Sequence, residues 1–511
     1  MRRSTEREAK FEGATAVAVP DLTGVSEGSS EIKLPTVTLT ATYYDTEDLR
    51  LLRRHLTLRH RSDDVGSEDE WTLKVPGDTK GSGLRRMELT WPGPTEQVPA
   101  DAVALTAAII RGAALQPVAE LVTVRRRREL RASTGRRLAE IDDDEVTGTD
   151  LTPAGDHDAA APLRFREVEI ELDGDDDDIL DRAGHRLVAS GFVRSAEASK
   201  LARVLADRVD SRAPRPAPGH RSTIEAVVVA SIADGLERLV AHDLAIRTDG
   251  DPRSVHQARV ATRRLRADLL TFASLLDPVW VRRTRTTLKW VADALGDVRD
   301  ADVLAERLVA HRSEIAEVDA DGFDVLVGLL SGERRAAMVN LRDILDRPRY
   351  LEVLGQLEEA TVSPSWKAGT ASKSGRRASK VLGRLARRPW RKLRRTVEGL
   401  GEDPENRDLH QVRIKAKQVR YAAELAGPVV GSPATRLARS TKALQGTLGD
   451  HNDAVNAEAW LRRAAADQAM PVVVTAGQLI ARERQLQAVT TKAWSDDWKK
   501  VSRKSTRCWM Q

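Results

Sequence analysis

Residues 166–172, Arg166-Glu167-Val168-Glu169-Ile170-Glu171-Leu172, alternate acid and aliphatic without a break. A strand sends successive side chains to opposite faces, so Glu167, Glu169 and Glu171 share one face while Val168, Ile170 and Leu172 share the other. The aliphatic face needs cover, which puts the acids on the inside of a closed barrel. Three carboxylates two residues apart repel one another unless cations share the space, and a divalent metal is the natural partner. Oxygen-only ligands point to Mg²⁺ or Mn²⁺ rather than zinc.

Working outward, the same alternation recurs across the first two hundred residues, at Ile32-Lys33-Leu34, Leu56-Thr57-Leu58-Arg59, Trp71-Thr72-Leu73-Lys74 and Arg86-Met87-Glu88-Leu89. Turn-rich stretches such as Pro76-Gly77-Asp78 and Gly81-Ser82-Gly83 separate them. This region reads as strands in an antiparallel sheet or barrel. Near the start, Glu6, Glu8 and Lys10 alternate and project from one face. Opposing the acids are cations at strand spacing: Arg59 and Arg61, Lys74, and Arg125 and Arg127 within the run Arg125 to Arg128. Register leaves Arg125/Arg127 or Arg126/Arg128 open, and Leu130 on the other face favours the odd pair. Guanidinium forks bind phosphate oxygens in bidentate fashion, so metal-holding acids opposite several cations describe a site for a metal-bound polyphosphate. The reaction this suits is attack of water on a phosphoryl group.

Residues 207–221, DRVDSRAPRPAPGHR, can neither continue a strand nor nucleate a helix, which puts a domain boundary there. Beyond it, segments 223–245, 254–276, 281–294, 408–426 and 435–463 carry helical spacing, and 222–511 reads as an all-α domain. A Ser/Gly/Lys-rich break at 363–376 separates two halves, about 222–362 and 376–505. A repeat supports them: His256, Arg259, Arg263 and Arg266 return as His410, Arg413, Lys417 and Arg420, and Leu295-Gly296-Asp297 returns as Leu448-Gly449-Asp450. On a helix each set of four forms a stripe about 80° wide and about 15 Å long. Leu265, Leu269 and Phe272, and Val412, Val419 and Ala423, occupy the opposite sides for packing. Arg264 and His451 are possible additions to the rows.

The whole chain has 511 residues, enough for two or three cores, with 82 Lys and Arg against 77 Asp and Glu. The net charge is only +5, so its clusters matter more than its sum. Residues 376–395 hold ten basic residues and no acid, which calls for an anion nearby. No run of about 18 uncharged apolar residues occurs, and the charged opening lacks a signal-peptide core, so a cytoplasmic protein without membrane contact is expected. Cys508 stands alone, which excludes a disulfide or thiolate zinc cluster within the chain. Nucleic acid is the rival polyanion, but only Tyr421 interleaves an aromatic ring with the basic rows, so base stacking is unsupported.

Residues 1 to about 205 resemble the CYTH family of triphosphate tunnel metalloenzymes, on Glu6-x-Glu8-x-Lys10, Tyr44-Asp45-Thr46, Trp71-Thr72-Leu73-Lys74 and Ser199-Lys200-Leu201. The resemblance implies an eight-stranded antiparallel tunnel with metal on Glu6, Glu8, Glu167 and Glu169, Glu171 being able to replace Glu167, plus an acid from Glu140 and Asp142. It places phosphate on Lys10, Arg59, Arg61, Lys74, Arg125, Arg127 and Lys200, with Glu6, Glu8 and Lys10 as the catalytic core. Residues 222–505 resemble CHAD domains, helical modules that bind polyphosphate, on VHQARVATRRLRADLLTF and LHQVRIKAKQVRYAAEL with LGDVRDAD and LGDHNDAV. This implies polyphosphate contacts at His256, Arg259, Arg263, Arg266, His410, Arg413, Lys417 and Arg420.

The expectation is therefore an α+β multidomain protein, its tunnel hydrolysing inorganic triphosphate with Mg²⁺ or Mn²⁺ and its helical domain binding polyphosphate, with association to polyphosphate granules. The alternatives are a non-catalytic polyphosphate-binding protein, or an adenylate cyclase or thiamine triphosphatase using the same tunnel.

Overall fold

The computed structural model describes residues 1–66, 69–77, 83–95, 97–151, 161–174, 176–196, 199–209 and 217–510. The turn residues 78–82 and the centre of the linker, 210–216, lie outside the described residues. Two compact units emerge, Met1–Pro214 and Arg215–Gln511.

The first unit is built from β1 (Arg2–Glu12), β2 (Ser30–Lys33), β3 (Val37–Asp45), β4 (Thr57–Asp63), β5 (Asp69–Pro76), β6 (Leu84–Pro92), α1 (Ala100–Ile110), β7 (Gln116–Arg131), β8 (Arg137–Asp150), β9 (Leu163–Leu172), α2 (Asp177–Ala189), β10 (Val193–Arg194), α3 (Lys200–Val204) and α4 (Ala206–Val209). Its sheet runs β1-β6-β5-β4-β3-β7-β8-β9, and β9 pairs back onto β1, closing an eight-stranded antiparallel barrel. Short β2 and β10 add to its rim on β7 and β1.

Closure sorts the alternating strands as their pattern demands. Val168, Ile170 and Leu172 turn outward with Ala9, Phe11, Leu130 and Ile141, and this apolar surface is covered by Ile179, Leu180, Ala183 and Leu187 of α2 and by Leu22 and Val25. The even-strand reading of the first two hundred residues passed over α1 and α2. Helix α2 is amphipathic, and it exists because a barrel with charge inside must bury its apolar side against something.

The second unit comprises α5 (Ile224–Thr248), α6 (Pro252–Thr271), α7 (Pro278–Ala310), α8 (Ala320–Asp346), α9 (Pro348–Val362), α10 (Ala378–Glu398), α11 (Asn406–Val430), α12 (Ser432–Ala465), α13 (Met470–Val501) and α14 (Lys504–Arg507), with short 3₁₀ turns between some of them. Asp-Pro starts both α6 and α7: Asp251 accepts from the N–H groups of Arg253 and Ser254, and Asp277 from those of Val279 and Trp280. Proline at the first helical position costs no hydrogen bond, and the aspartate satisfies two orphan donors. Helix α7 runs on to Ala310, well past the expected 294, because its apolar spacing continues through Val298, Leu304 and Leu308 into the core. Helix α6 stops at Thr271, before the expected 276.

Candidate functional site

Strand register writes the tunnel's electrostatics. Across β8 and β9, Glu140 faces Glu171, Asp142 faces Glu169 and Asp144 faces Glu167, three like-charged cross-strand pairs in succession. Like charges directly opposite are destabilising, so each pair needs a cation. The neighbouring strands provide them. On β1, Lys10 pairs in register with Glu169, and on β7 Arg125 lies opposite Asp144 and Arg127 opposite Asp142.

The side chains meet accordingly. The Lys10 ammonium contacts Glu169 and lies 3.2 Å from Glu8 and 3.7 Å from Glu167. Ser199 caps α3 by accepting from the Ala202 N–H, which aims Lys200, the first helical residue, at Glu169 (2.7 Å), Asp144 (3.0 Å) and Glu167 (3.2 Å). Arg125 grips Asp142 at 2.5 Å and Asp144 at 2.7 Å, Arg127 holds Glu140 at 2.8 Å, and Lys74 joins Glu6 and Glu88, each at 2.8 Å. A cavity of about 200 Å³ runs between these groups, with Arg59, Arg61, Arg125 and Arg127 on its wall beside Glu6, Glu140, Asp142, Glu169 and Glu171. Glu8 and Glu167 sit deeper, almost wholly buried. The odd pair of the arginine run faces inward, while Arg126 is exposed and pairs with Glu145 at 2.7 Å.

Burial and crowding split the acids' proton affinities. For Glu169, Lys10, Lys200 and Arg125 overcome burial and hold the carboxyl well below its usual range. Asp142 is pushed up to about 7 by burial and by Asp144, Glu140 and Glu169. Glu171, which keeps solvent contact inside the tunnel, is pushed up to about 8 by its enclosure and then by Glu6, Glu88 and Glu8. Asp142 Oδ1 is buried without a hydrogen-bond partner. Among the described residues no group of three acids is assembled to cage a metal alone. Carboxylate oxygens are the donors a hard cation such as Mg²⁺ takes, with water and phosphate oxygens completing its shell. The residues present fit such an ion, with Glu171 and Asp142 holding unspent acceptor capacity.

In the helical unit the two basic rows converge. Helices α6 and α11 pack together, and their buried faces carry Leu265, Leu269 and Phe272, and Val412, Val419 and Ala423. Lys417 is driven down to about 7 by burial and by Arg413, Arg263 and Arg259, so members of both rows act on one ammonium. Arg413 is lowered by burial despite Asp453, with Arg263 and Arg259 adding to the effect. His256 is lowered likewise, by burial and by Arg299, Arg263 and Arg259. The Nε donors of Arg263, Arg266 and Arg413 are buried without a hydrogen-bond partner. Arg259 reaches Asp300 at 2.7 Å. Arg420 is satisfied by Glu424 at 2.7 Å and Gln445 at 3.0 Å, and His410 Nδ1 lies 2.6 Å from Asn452 Oδ1.

Both possible additions to the rows are engaged by protein partners. His451 is buried with Nδ1 at 3.0 Å from Thr490 and Nε2 at 2.9 Å from Asn406, which leaves no ring nitrogen for a ligand. Arg264 is held by Asp268 and Glu424. Sequence reasoning missed Glu88 and Arg86, the latter 3.1 Å from Glu8, and Asp144. The signal was present: Arg86 and Glu88 alternate on β6, and Asp144 continues the spacing of Glu140 and Asp142.

Comparison with known proteins agrees with this division. The CYTH domain model matches residues 4–205, and the CHAD domain model matches residues 230–462. A protein of Mycobacterium tuberculosis strain H37Rv, described as uncharacterized protein Rv2226, is 31% identical over 501 residues, spanning 95% of this chain and 94% of its own length. Among solved structures, the CHAD domain from the plant Ricinus communis shares 25% identity over 55% of this chain and 96% of its own, with a TM-score of 0.45. PptA from Streptomyces chartreusis shares 21% over 54% of this chain and all of its own, also at 0.45. With both domain matches in order along one chain and a relative alike over nearly its whole length, this protein belongs to the CYTH–CHAD family.

Proposed function

We infer that the barrel hydrolyses inorganic triphosphate with Mg²⁺ or Mn²⁺ and that the helical unit binds polyphosphate. CYTH family members act on phosphoanhydrides, usually with Mg²⁺ or Mn²⁺, and the tunnel's own chemistry supports that activity here. The observation that carries the reading is the closed tunnel in which Lys10, Lys74, Arg125 and Lys200 stand among carboxylates, two of which, Asp142 and Glu171, are pushed up to about 7 and about 8 by burial and by the neighbouring acids.

Glu6, Glu8, Asp142, Glu169 and Glu171, with Glu140 and Glu167 beside them, are the oxygens that would hold the metal, and the metal supplies a more acidic bound water and neutralises phosphoryl charge. Arg59, Arg61, Arg125 and Arg127 offer planar forks for nonbridging phosphate oxygens, and Lys10, Lys74 and Lys200 offer point charges. The same cations neutralise the acids in the absence of substrate. Binding therefore exchanges protein ion pairs for phosphate contacts within a preformed frame, without gathering charges from solvent. In the helical unit, Arg259, Arg263, Arg413 and Lys417 concentrate positive charge that the protein leaves under-neutralised, as a polyanion site requires.

The test is phosphate release by the full chain from tripolyphosphate, ATP and thiamine triphosphate, each with Mg²⁺, Mn²⁺ or chelator. Metal-dependent release from tripolyphosphate in preference to the other two is expected. Silence on all three, with polymer binding retained, overturns the enzymatic half.

A further inference from the structure

The basic run at 376–395 is not consumed by either site described above. It forms helix α10, whose inner face packs Leu382, Ala386, Trp390 and Leu393 into the core. Lys380, Arg384, Arg388, Arg391, Lys392 and Arg395 are all exposed. On a helical projection these six fall within a sector of about 120°, spread over about 22 Å of helix. Among the described residues none of the six has an ion-pair partner, whereas the neighbouring Arg394 is paired with Glu398. A single-sign row of this length repels itself, and a protein keeps such a row at a cost in stability.

The row does not stand alone. Arg384, Arg388 and Lys392 form one wall of a groove of about 370 Å³ whose other side includes Ala267 and Leu270 of α6 and Gln418 of α11. Ala267 and Leu270 lie on the same sector of α6 as His256, Arg259, Arg263 and Arg266, at its C-terminal end. The groove therefore begins where the α6 row ends.

We propose that α10 extends the polyanion path of the helical unit: a linear polyphosphate held by Arg263, Arg413 and Lys417 continues through this groove onto Arg384, Arg388 and Lys392. This rests on the polyphosphate reading of the helical unit and deepens it, since it assigns to the domain a footprint longer than the paired rows and a preference for long chains. A flexible phosphate polymer suits the groove better than a nucleic acid. The groove is lined by aliphatic, hydroxyl, amide and cationic side chains, and the α10 tryptophan, Trp390, is turned into the core, where it stacks on Trp498 at 5.7 Å, so the groove offers no ring to a base.

The experiment compares the full-length protein with the Arg384→Glu/Arg388→Glu/Lys392→Glu variant and with a control, Arg439→Glu/Lys442→Glu/Lys504→Glu, that changes net charge equally on other exposed positions. The probes are long-chain polyphosphate, a short oligophosphate and single-stranded DNA, each titrated over a salt series, with thermal melts to verify folding. The α10 variant is expected to lose long-chain affinity by roughly ten- to hundred-fold and to flatten the logarithmic salt slope by about two, given about 0.7 counterions released per contact. The loss must grow with chain length and must exceed that of the control. Equal losses in the variant and the control, or equal losses for long and short chains, overturn the extended path. Unchanged long-chain binding in the α10 variant, with binding abolished by Arg263→Glu, also overturns it while leaving the polyphosphate reading intact. Loss of DNA binding alone reassigns the row to nucleic acid. Absence of polymer binding by the unaltered protein overturns the polyphosphate reading itself.

Discussion

The two units treat the same cations in opposite ways. In the barrel each inward ammonium is matched or over-matched: Lys10 and Lys200 each meet three carboxylates and Lys74 meets two. In the helical unit burial lowers the proton affinity of Arg413 and Lys417, with Arg263 and Arg259 adding to the effect, and Arg384, Arg388 and Lys392 go without any carboxylate among the described residues. A site that stores both signs is prepared for a ligand that brings both, a cation with its phosphates. A surface that stores one sign is prepared for an anion alone, and a polymer can be long enough to cover it.

The sharpest way to break this contrast is to remove one sign from the tunnel. Glu6→Ala or Glu8→Ala is expected to lower metal-dependent triphosphate hydrolysis by roughly a hundred- to a thousand-fold, the usual cost of losing a preorganised charged group, in a phosphate-release assay. Long-chain polyphosphate binding should persist in both variants, and its loss would dissolve the division between the units. Next in size, Arg259→Glu with Arg413→Glu should weaken polyphosphate binding by roughly ten- to a hundred-fold and flatten its salt dependence in a fluorescence titration, with triphosphate turnover as the contrasting readout.

A third prediction sharpens the comparison through pH. Lys417 sits at about 7 in the free protein, held down by burial and by Arg413, Arg263 and Arg259. An anion bound beside it raises that value toward the ordinary lysine range, so binding takes up a proton at any pH between the free and bound values. Affinity should therefore fall as pH rises above about 7, by at most about tenfold per unit. Below that value this dependence should vanish, because Lys417 is already charged in both states. Lys417→Arg, which stays protonated, should lose the dependence, and a retained slope would point to another group. The smallest effect concerns the repeated Leu-Gly-Asp motif. A Cβ at Gly296 would lie 3.9 Å from the guanidinium of Arg259, and one at Gly449 would lie 3.9 Å from that of Arg413, both ordinary contacts. Alanine at either position should therefore raise stability by up to about 1 kcal/mol in a thermal melt, through helix propensity, with little change in polymer affinity.

Much of this was written in the chain at short range. Alternation at Glu6-Glu8-Lys10 and Glu167-Glu169-Glu171 marked strands with a charged face, and a period of two needs no partner to be recognised. The return of His256, Arg259, Arg263 and Arg266 as His410, Arg413, Lys417 and Arg420 marked two related helices for the same reason. Helix ends were less legible. The overrun of α7 beyond 294 is set by apolar contacts at Leu304 and Leu308, which come from elsewhere in the chain.

What only the tertiary structure decided is which groups meet. Spacing could place Arg125 and Arg127 on one face of β7, but only barrel closure put that face inside, opposite Asp142 and Asp144. Spacing placed His410 in the basic row but left open whether His451 joins it. The fold buried His451 against Asn406 and Thr490 and left Arg263, Arg413 and Lys417 to gather. The physical reason is one of range. Periodicity is imposed by bonds a few residues long, whereas charge pairing, burial and proton affinity are set by neighbours that the chain brings together from distant parts of the sequence.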